Sequence, residues 1–238
     1  MRLKQITNRI CYTEGSFETD RPVLGLIRGE NRMLMVDAGN SPRHAREFLH
    51  MLDVHSLPVP DFIAITHAHC DHIFGMQVFN CPTLANRLTR DRIRELQQLD
   101  WNTPALSERV ARGLEHPMTQ QMLDVEYPGK REHFIRVPEL VYDWVLELDL
   151  GNLHCCIEAI GGDHAADSSI LYIPEERVVF LGDCLYLRQI TEDTVRTLFE
   201  KLLSYEATLY IDSHENEGIT RAALIARFKR YLRDAHQG

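Results

Sequence analysis

The sequence has no pair of cysteines at C-x-x-C spacing, and its six cysteines (Cys11, Cys70, Cys81, Cys155, Cys156, Cys184) do not form the framework of a small secreted protein. Reduced, mostly buried thiols are the expected state. No apolar run approaches the length of a membrane span. There is no internal repeat and no low-complexity segment. The N-terminal residues carry no signal-peptide apolar region, so a cytoplasmic location is the default expectation. Positive charge is not in excess: the net charge is −9 and the pI is near 5.7. That balance disfavours nucleic acid or an anionic membrane as the main partner. What remains is ordinary for a globular enzyme, with 44% hydrophobic and 26% charged residues. A chain of 238 residues suits one domain, here read as 1–238 with an insertion, and its core can hold a polar site without staples.

The chain is organised around Thr66-His67-Ala68-His69-Cys70-Asp71-His72. The segment follows Phe62-Ile63-Ala64-Ile65, a short buried strand bounded by Pro60 and Asp61. His67 and His69, two apart in extended chain, can point to the same side. Asp71 and His72 come one turn later, at the start of the next helix, and face a neighbouring point. The spacing therefore points to two adjacent metal positions. The plainer alternative is a histidine-rich surface turn, but three histidines and an aspartate directly behind a core strand argue against it.

In order, residues 3 to 11, 22 to 28 and 32 to 36 read as strands. Ser41-Pro42 reads as an N-cap followed by proline at the first helical position, with a helix from about Pro42 to Leu52. From Asn86 to about Arg136 the apolar spacing becomes helical, with prolines at 104, 117 and 128, and this stretch is expected to be a helical insertion that serves as lid or substrate wall. Arg87, Arg90, Arg92 and Arg94 interleave with Asp91 and Glu95, which favours an ion-paired helix face over an anion site. Residues 141 to 149 and 152 to 160 read as a hairpin around Gly151-Asn152, and Ser169 to Ile173 with Arg177 to Leu181 as a second. A helix from about Glu192 to Leu203, a strand from Thr208 to Ile211 and a helix from about Thr220 to Arg233 close the chain.

Three further residues share a position type with the first cluster. His164, Asp183 and His214 each follow an apolar strand within a few residues, where layered α/β folds gather groups from distant sequence. Singly, each could cap a turn or bond a loop. Together with the first cluster they make five histidines and two carboxylates, a full set for two divalent ions. Cys70 and Cys184 adjoin the set, but the harder ligands suffice without them.

The pattern His67-Ala68-His69-Cys70-Asp71-His72, followed by His164, Asp183 and His214, resembles the metallo-β-lactamase superfamily, particularly the branch with glyoxalase II and the metal-dependent lactonases. Asp37-Ala38-Gly39, Gly182-Asp183 and Ser213-His214 extend the resemblance over nearly the whole chain. It implies an α/β fold, a four-layer αβ/βα sandwich with the metals at one edge of the two sheets. It also implies that His67, His69 and His164 hold a first metal, that Asp71, His72 and His214 hold a second, and that Asp183 bridges them. The segment Gly162-Asp163-His164-Ala165-Ala166-Asp167-Ser168 departs from the family's common His-Thr-Pro-Gly-Ser turn, although Gly161-Gly162 still allows a sharp turn. Tyr186, three residues after Asp183, resembles the tyrosine that helps hold the substrate carbonyl in acyl-homoserine lactonases; the alternative is packing. Asp37 is expected to buttress the histidine loop rather than to bind metal.

Imidazole and carboxylate donors suit zinc first, and manganese or iron as well. The expected activity is a dinuclear metal-dependent hydrolase, with a metal-bridging hydroxide acting on a small ester, thioester or lactone and Asp71 orienting it or shuttling its proton. The bridging Asp183 argues against a true β-lactamase. A phosphodiesterase on the same two metals, or a mononuclear iron persulfide dioxygenase, is the alternative. A purely structural zinc module is disfavoured, because such sites are closed, four-coordinate and cysteine-rich. The expected partner is a small-molecule substrate, with a homodimer left open. The remaining histidines read as surface or core residues, and nothing in the sequence requires His133, at the end of the insertion, at the site.

Overall fold

The computed structural model describes residues 1–129, 131 and 134–236; His133 lies outside them. Among the described residues the strands form two sheets. The first runs in chain order: β1 (Leu3–Gln5), β2 (Ile10–Thr13), β3 (Leu24–Arg28), β4 (Met33–Val36), β5 (Phe62–Ala64), β6 (Thr83–Asn86) and β7 (Leu140–Tyr142). It is antiparallel as far as β4 and parallel from β4 to β7. The second contains β8 (Val145–Asp149), β9 (His154–Ala159), β10 (Ser169–Ile173), β11 (Val178–Phe180), β12 (Leu209–Ile211) and β13 (Ile219–Thr220), ordered from β13 at one edge to β8 at the other. Here β11 and β12 are the parallel pair. The helices are α1 (Pro42–Val54), α2 (Cys70–Ile73), α3 (Arg87–Gln97), α4 (Thr103–Ala111), α5 (Pro117–Glu126), α6 (Glu192–Ser204) and α7 (Arg221–Ala235). None is long and apolar enough to cross a membrane.

Period-two alternation explains the layering. Along β3, Leu24 and Leu26 join the cluster that holds Ala45, Phe48 and Leu52 of α1, while Ile27 faces the other way. Ile27, Leu34, Val36 and Ala64 pack with Cys155, Ile157, Leu171 and Phe180 in the space between the sheets. On the far side, Ile170, Val179 and Tyr210 pack under Val195, Phe199 and Leu202 of α6 and Leu224 of α7. Strands buried on both faces read as continuous apolar runs, as these do. Each such leucine or isoleucine contributes about 1.5–3 kcal/mol through burial. The result is the expected αβ/βα sandwich of four layers.

The local signals were largely sound. Ser41 caps α1, its hydroxyl accepting from His44 N at 2.9 Å. All six cysteines are free, and Cys11, Cys70, Cys155 and Cys184 are buried. Two strand readings are corrected and two strands are added. The run 3 to 11 is two strands, β1 and β2, paired antiparallel after a reversal at Ile6 to Arg9. The run 141 to 149 is also two strands, in different sheets: the chain leaves β7 at Asp143-Trp144, bends, and enters the second sheet as β8. Strands β6 and β13 were not expected at all.

The stretch between β6 and β7 is helical as expected, carrying α3, α4 and α5 across a parallel connection. Trp101 lies edge-on to Phe74 with ring centroids 4.9 Å apart, which seats these helices over the histidine segment. The arginines of α3 are ion-paired: Arg87 with Asp143 at 2.6 Å, and Arg90 with Asp91 at 2.8 Å. Arg92 instead approaches buried Asp167 at 3.6 Å. The end of α5 is held by buried Glu126. Its carboxylate accepts from Arg21 Nε at 2.9 Å, from Arg43 Nη2 at 3.0 Å and from the Ser41 hydroxyl.

Candidate metal centre

The site forms where strands of both sheets end at one edge. From β5 the chain passes through Thr66 into His67 and His69, and α2 presents Asp71 and His72. From β9 it turns at Gly161 and Gly162, both with positive φ (60° and 125°), and reaches His164. Strands β11 and β12, parallel and in register from Phe180 to Ile211, deliver Asp183 and His214 side by side. Gly182 precedes Asp183 with φ of +56°, and a Cβ there would stand 3.0 Å from Thr66 Cβ; the close approach of β11 to the histidine segment needs glycine. Backbone bonds join the sheets at this edge, with Ser169 N donating to Thr66 O at 2.8 Å and Val23 N to Ser213 O at 2.6 Å.

All seven expected ligands converge, in two clusters that share Asp183. His67, His69, His164 and Asp183 form one; Asp71, His72, Asp183 and His214 form the other. In each, the potential donor atoms lie within 4.8 Å of one another. Nδ1 of His69 stands 2.9 Å from Nε2 of His67 and 3.1 Å from Nε2 of His164. Oδ2 of Asp183 is 3.4 Å from His164 Nε2 and 3.3 Å from His214 Nε2. Oδ2 of Asp71 is 2.9 Å from His72 Nε2 and 3.3 Å from His214 Nε2. Donors bound tetrahedrally at about 2.0–2.2 Å stand about 3.3–3.6 Å apart, so these spacings fit zinc-sized cations. Three imidazole nitrogens converging on one point cannot all satisfy one another by hydrogen bonds, but they suit a cation. The buried His72 Nε2 and Asp183 Oδ1 face each other at 3.4 Å without a hydrogen bond of good geometry. Neither cluster includes a cysteine.

The electrostatics differ between the clusters. Burial pushes His67 well below the ordinary histidine value, lowers His69, and brings His164 to about 4. These three rings are neutral at pH 7 and present lone pairs. Burial also opposes charge on His72 and His214, but the carboxylates of Asp71 and Asp183 outweigh it, with Asp37 adding to the effect on His72, and hold both well above the ordinary value. Burial would raise Asp71 and Asp183, yet the two imidazolium charges keep both well below the carboxylate range. A cation entering the second cluster therefore displaces protons from His72 and His214.

Asp37 supports the loop as expected. Its carboxylate accepts from Thr66 N at 2.8 Å, from Thr66 Oγ1 at 2.9 Å and from His72 Nδ1 at 2.8 Å. The last bond leaves Nε2 of His72 as the inward donor atom. Asp37 itself sits at φ of 58°, in the left-handed region. Three participants were missed. Asp167, in the loop that departs from the family's turn, accepts from Ala68 N at 2.9 Å and ties the His164 loop to the histidine segment. Asp20 faces His214 Nδ1 at 3.9 Å from a loop with no sequence signal of its own. His116, read as an ordinary histidine, lines the cleft.

The clusters open into a cleft of about 380 Å³. Glu115, His116 and Met118, between and within α4 and α5, form one wall, so the helical stretch lines the site. Tyr186 is folded back by a turn in which its N–H donates to Asp183 O at 2.9 Å. Its ring lies 6.1 Å from that of His164 and 5.8 Å from that of His214, centroid to centroid. It is 46% exposed at the cleft and is not a core residue. Burial raises its hydroxyl pKa, so it remains a donor at neutral pH.

The family model described as the metallo-beta-lactamase superfamily matches residues 23–218. No curated protein matches the chain. Among solved structures, the stereoselective inverting sec-alkylsulfatase Pisa1 from Pseudomonas sp. superposes with a TM-score of 0.71 at 14% identity; the match covers 96% of this chain and 41% of that one. A metallo-beta-lactamase from Pontibacter korlensis gives a TM-score of 0.64 at 15% identity, covering 97% and 98%. The DIM-1 metallo-beta-lactamase gives 0.67 at 16%, covering 99% and 97%. At these identities the likeness is one of fold.

Proposed function

The chain belongs to the metallo-β-lactamase superfamily, and on that footing we propose that it is a dinuclear metal-dependent hydrolase of a small ester, thioester or lactone. The observation that carries this reading is the membership of Asp183 in both clusters, which makes them two adjoining sites rather than one. His67, His69 and His164 would hold the first ion, Asp71, His72 and His214 the second, and Asp183 would bridge them. The donors favour zinc, with manganese or iron as substitutes. Bound divalent ions would supply Lewis acidity and bring a water molecule towards neutral pKa.

The chain's own residues supply the rest. Asp71, with Oδ2 2.9 Å from His72 Nε2, would accept or pass on a proton at the second cluster. Asp37 fixes the tautomer and direction of His72. The Tyr186 hydroxyl, protonated and at the cleft, would donate to the oxygen of a scissile carbonyl, as in the lactonase-like branch. The cleft size suits a small molecule. The test is a panel of a medium-chain lactone, an aryl ester, a thioester, bis-p-nitrophenyl phosphate, a secondary alkyl sulfate and a β-lactam. The lactone or ester is expected to lead; exclusive cleavage of the phosphodiester would sink the reading. In the Tyr186→Phe variant, kcat/KM on the leading carbonyl substrate should fall about tenfold, the ~1.4 kcal/mol of one hydrogen bond. Unchanged kinetics would remove the hydroxyl from the mechanism.

A further inference from the structure

Among the described residues that line the cleft, Arg188 is the one lysine or arginine. Among the described residues no carboxylate pairs with its guanidinium, although the arginines of α3 all have acidic neighbours. Carboxylates around the cleft have other partners: Glu215, which lines the adjoining pocket with Arg188, pairs with Arg227 at 2.7 Å. Asp163 accepts the backbone N–H of Arg188 and, at 2.6 Å, that of Gln189. Asp20 faces His214, and Glu115 accepts from His116 N at 3.3 Å. Because Asp163 immediately precedes His164, the same bonds fix the root of the Arg188 side chain to the loop that carries a cluster histidine. Phe17, Leu96, Trp101 and Met118 give the cleft apolar walls.

Arg188 is an exposed arginine at the rim of the cleft, held there by its backbone, and its planar guanidinium with five donors matches a carboxylate. A neutral lactone would leave it unused. Resting on the hydrolase reading above, we propose that the substrate is an ester, thioester or lactone bearing a free carboxylate, which Arg188 receives while the apolar body lies against Phe17 and Trp101. Arg188 sets specificity and takes no part in the bond change. Water adds across the acyl bond, the hydroxyl goes to the acyl carbon and the proton to the departing oxygen or sulfur.

The test compares p-nitrophenyl hydrogen suberate with the p-nitrophenyl ester of suberic acid monoamide, which share a scissile bond, differ in terminal charge and hold the terminal group too far from the ester for intramolecular attack. Metal-loaded wild type should prefer the carboxylate about tenfold in kcat/KM, mainly through KM. Arg188→Gln should bring the ratio to within about twofold of unity, and Arg188→Lys should fall between. A ratio unchanged by Arg188→Gln overturns the proposal. Binding of 4-phenylbutane-1-sulfonate, a weakly metal-coordinating anion, is measured in parallel by calorimetry. Its dissociation constant should rise about tenfold in Arg188→Gln, and equal affinities would overturn the proposal. If neither ester is cleaved while sulfonate binding still depends on Arg188, the hydrolase reading fails and the anion site stands.

Discussion

In the Asp183→Asn variant, metal content is expected to fall from two ions per chain to one or fewer, and turnover to drop by more than about 100-fold. The figure is a floor, because loss of an outer partner of a metal ligand already costs about 10–100-fold. Asp183 belongs to both clusters. Its Oδ2 is 3.4 Å from His164 Nε2 and 3.3 Å from His214 Nε2, and its Oδ1 is 3.4 Å from His72 Nε2. Asparagine keeps the shape and removes the charge, so the fold should survive with little change in circular dichroism. The imidazole-only remainder of the first cluster keeps some affinity; the second loses the anion it shares. A fully loaded, fully active variant would refute the bridging role.

Glu126→Ala should act on stability instead. Its carboxylate ties the end of α5 to Arg21, Arg43 and Ser41, near the start of α1. Truncation leaves these donors short of a partner and should cost about 1–3 kcal/mol, or roughly 3–10 °C in melting temperature for a chain of this size. Hydrogen exchange should rise first in α5. Burial would raise the Glu126 pKa, but bonds from Arg21, Arg43 and Ser41 more than offset it and hold the group below its ordinary value of 4.5. A carboxylate with a depressed folded pKa contributes stability above its unfolded pKa and loses it as pH falls through the folded one. The gap between variant and wild type should therefore be full at neutral pH and narrow below about pH 4.5. A gap that widens in acid would show that the carboxylate is not what holds α5.

The legibility of the site and the opacity of parts of the fold have one physical source. His67, His69, Asp71 and His72 lie within six consecutive positions, so their chemistry is visible in a single window. His164, Asp183 and His214 could be joined to them because each ends a strand whose apolar run is itself clear. Asp167 and Asp20 act through backbone and side-chain contacts across 99 and 194 residues of chain, respectively, and carry no local signal. The run 141 to 149 misled because strand-forming residues continue through the bend. Asp143 and Trp144 change sheets without glycine or proline, and tertiary pairing decides where one strand stops. Strand β6 is four residues long, with Ala85 and Asn86 weak strand formers, and exists because β5 and β7 flank it.

The most direct measurement is the metal content of the purified protein, prepared without chelators or added metal and counted per chain by mass spectrometry. Two divalent ions per chain, zinc foremost, are predicted from two clusters joined at Asp183. A single iron per chain, or a protein that binds no more than one ion when metal is supplied, would contradict the dinuclear account.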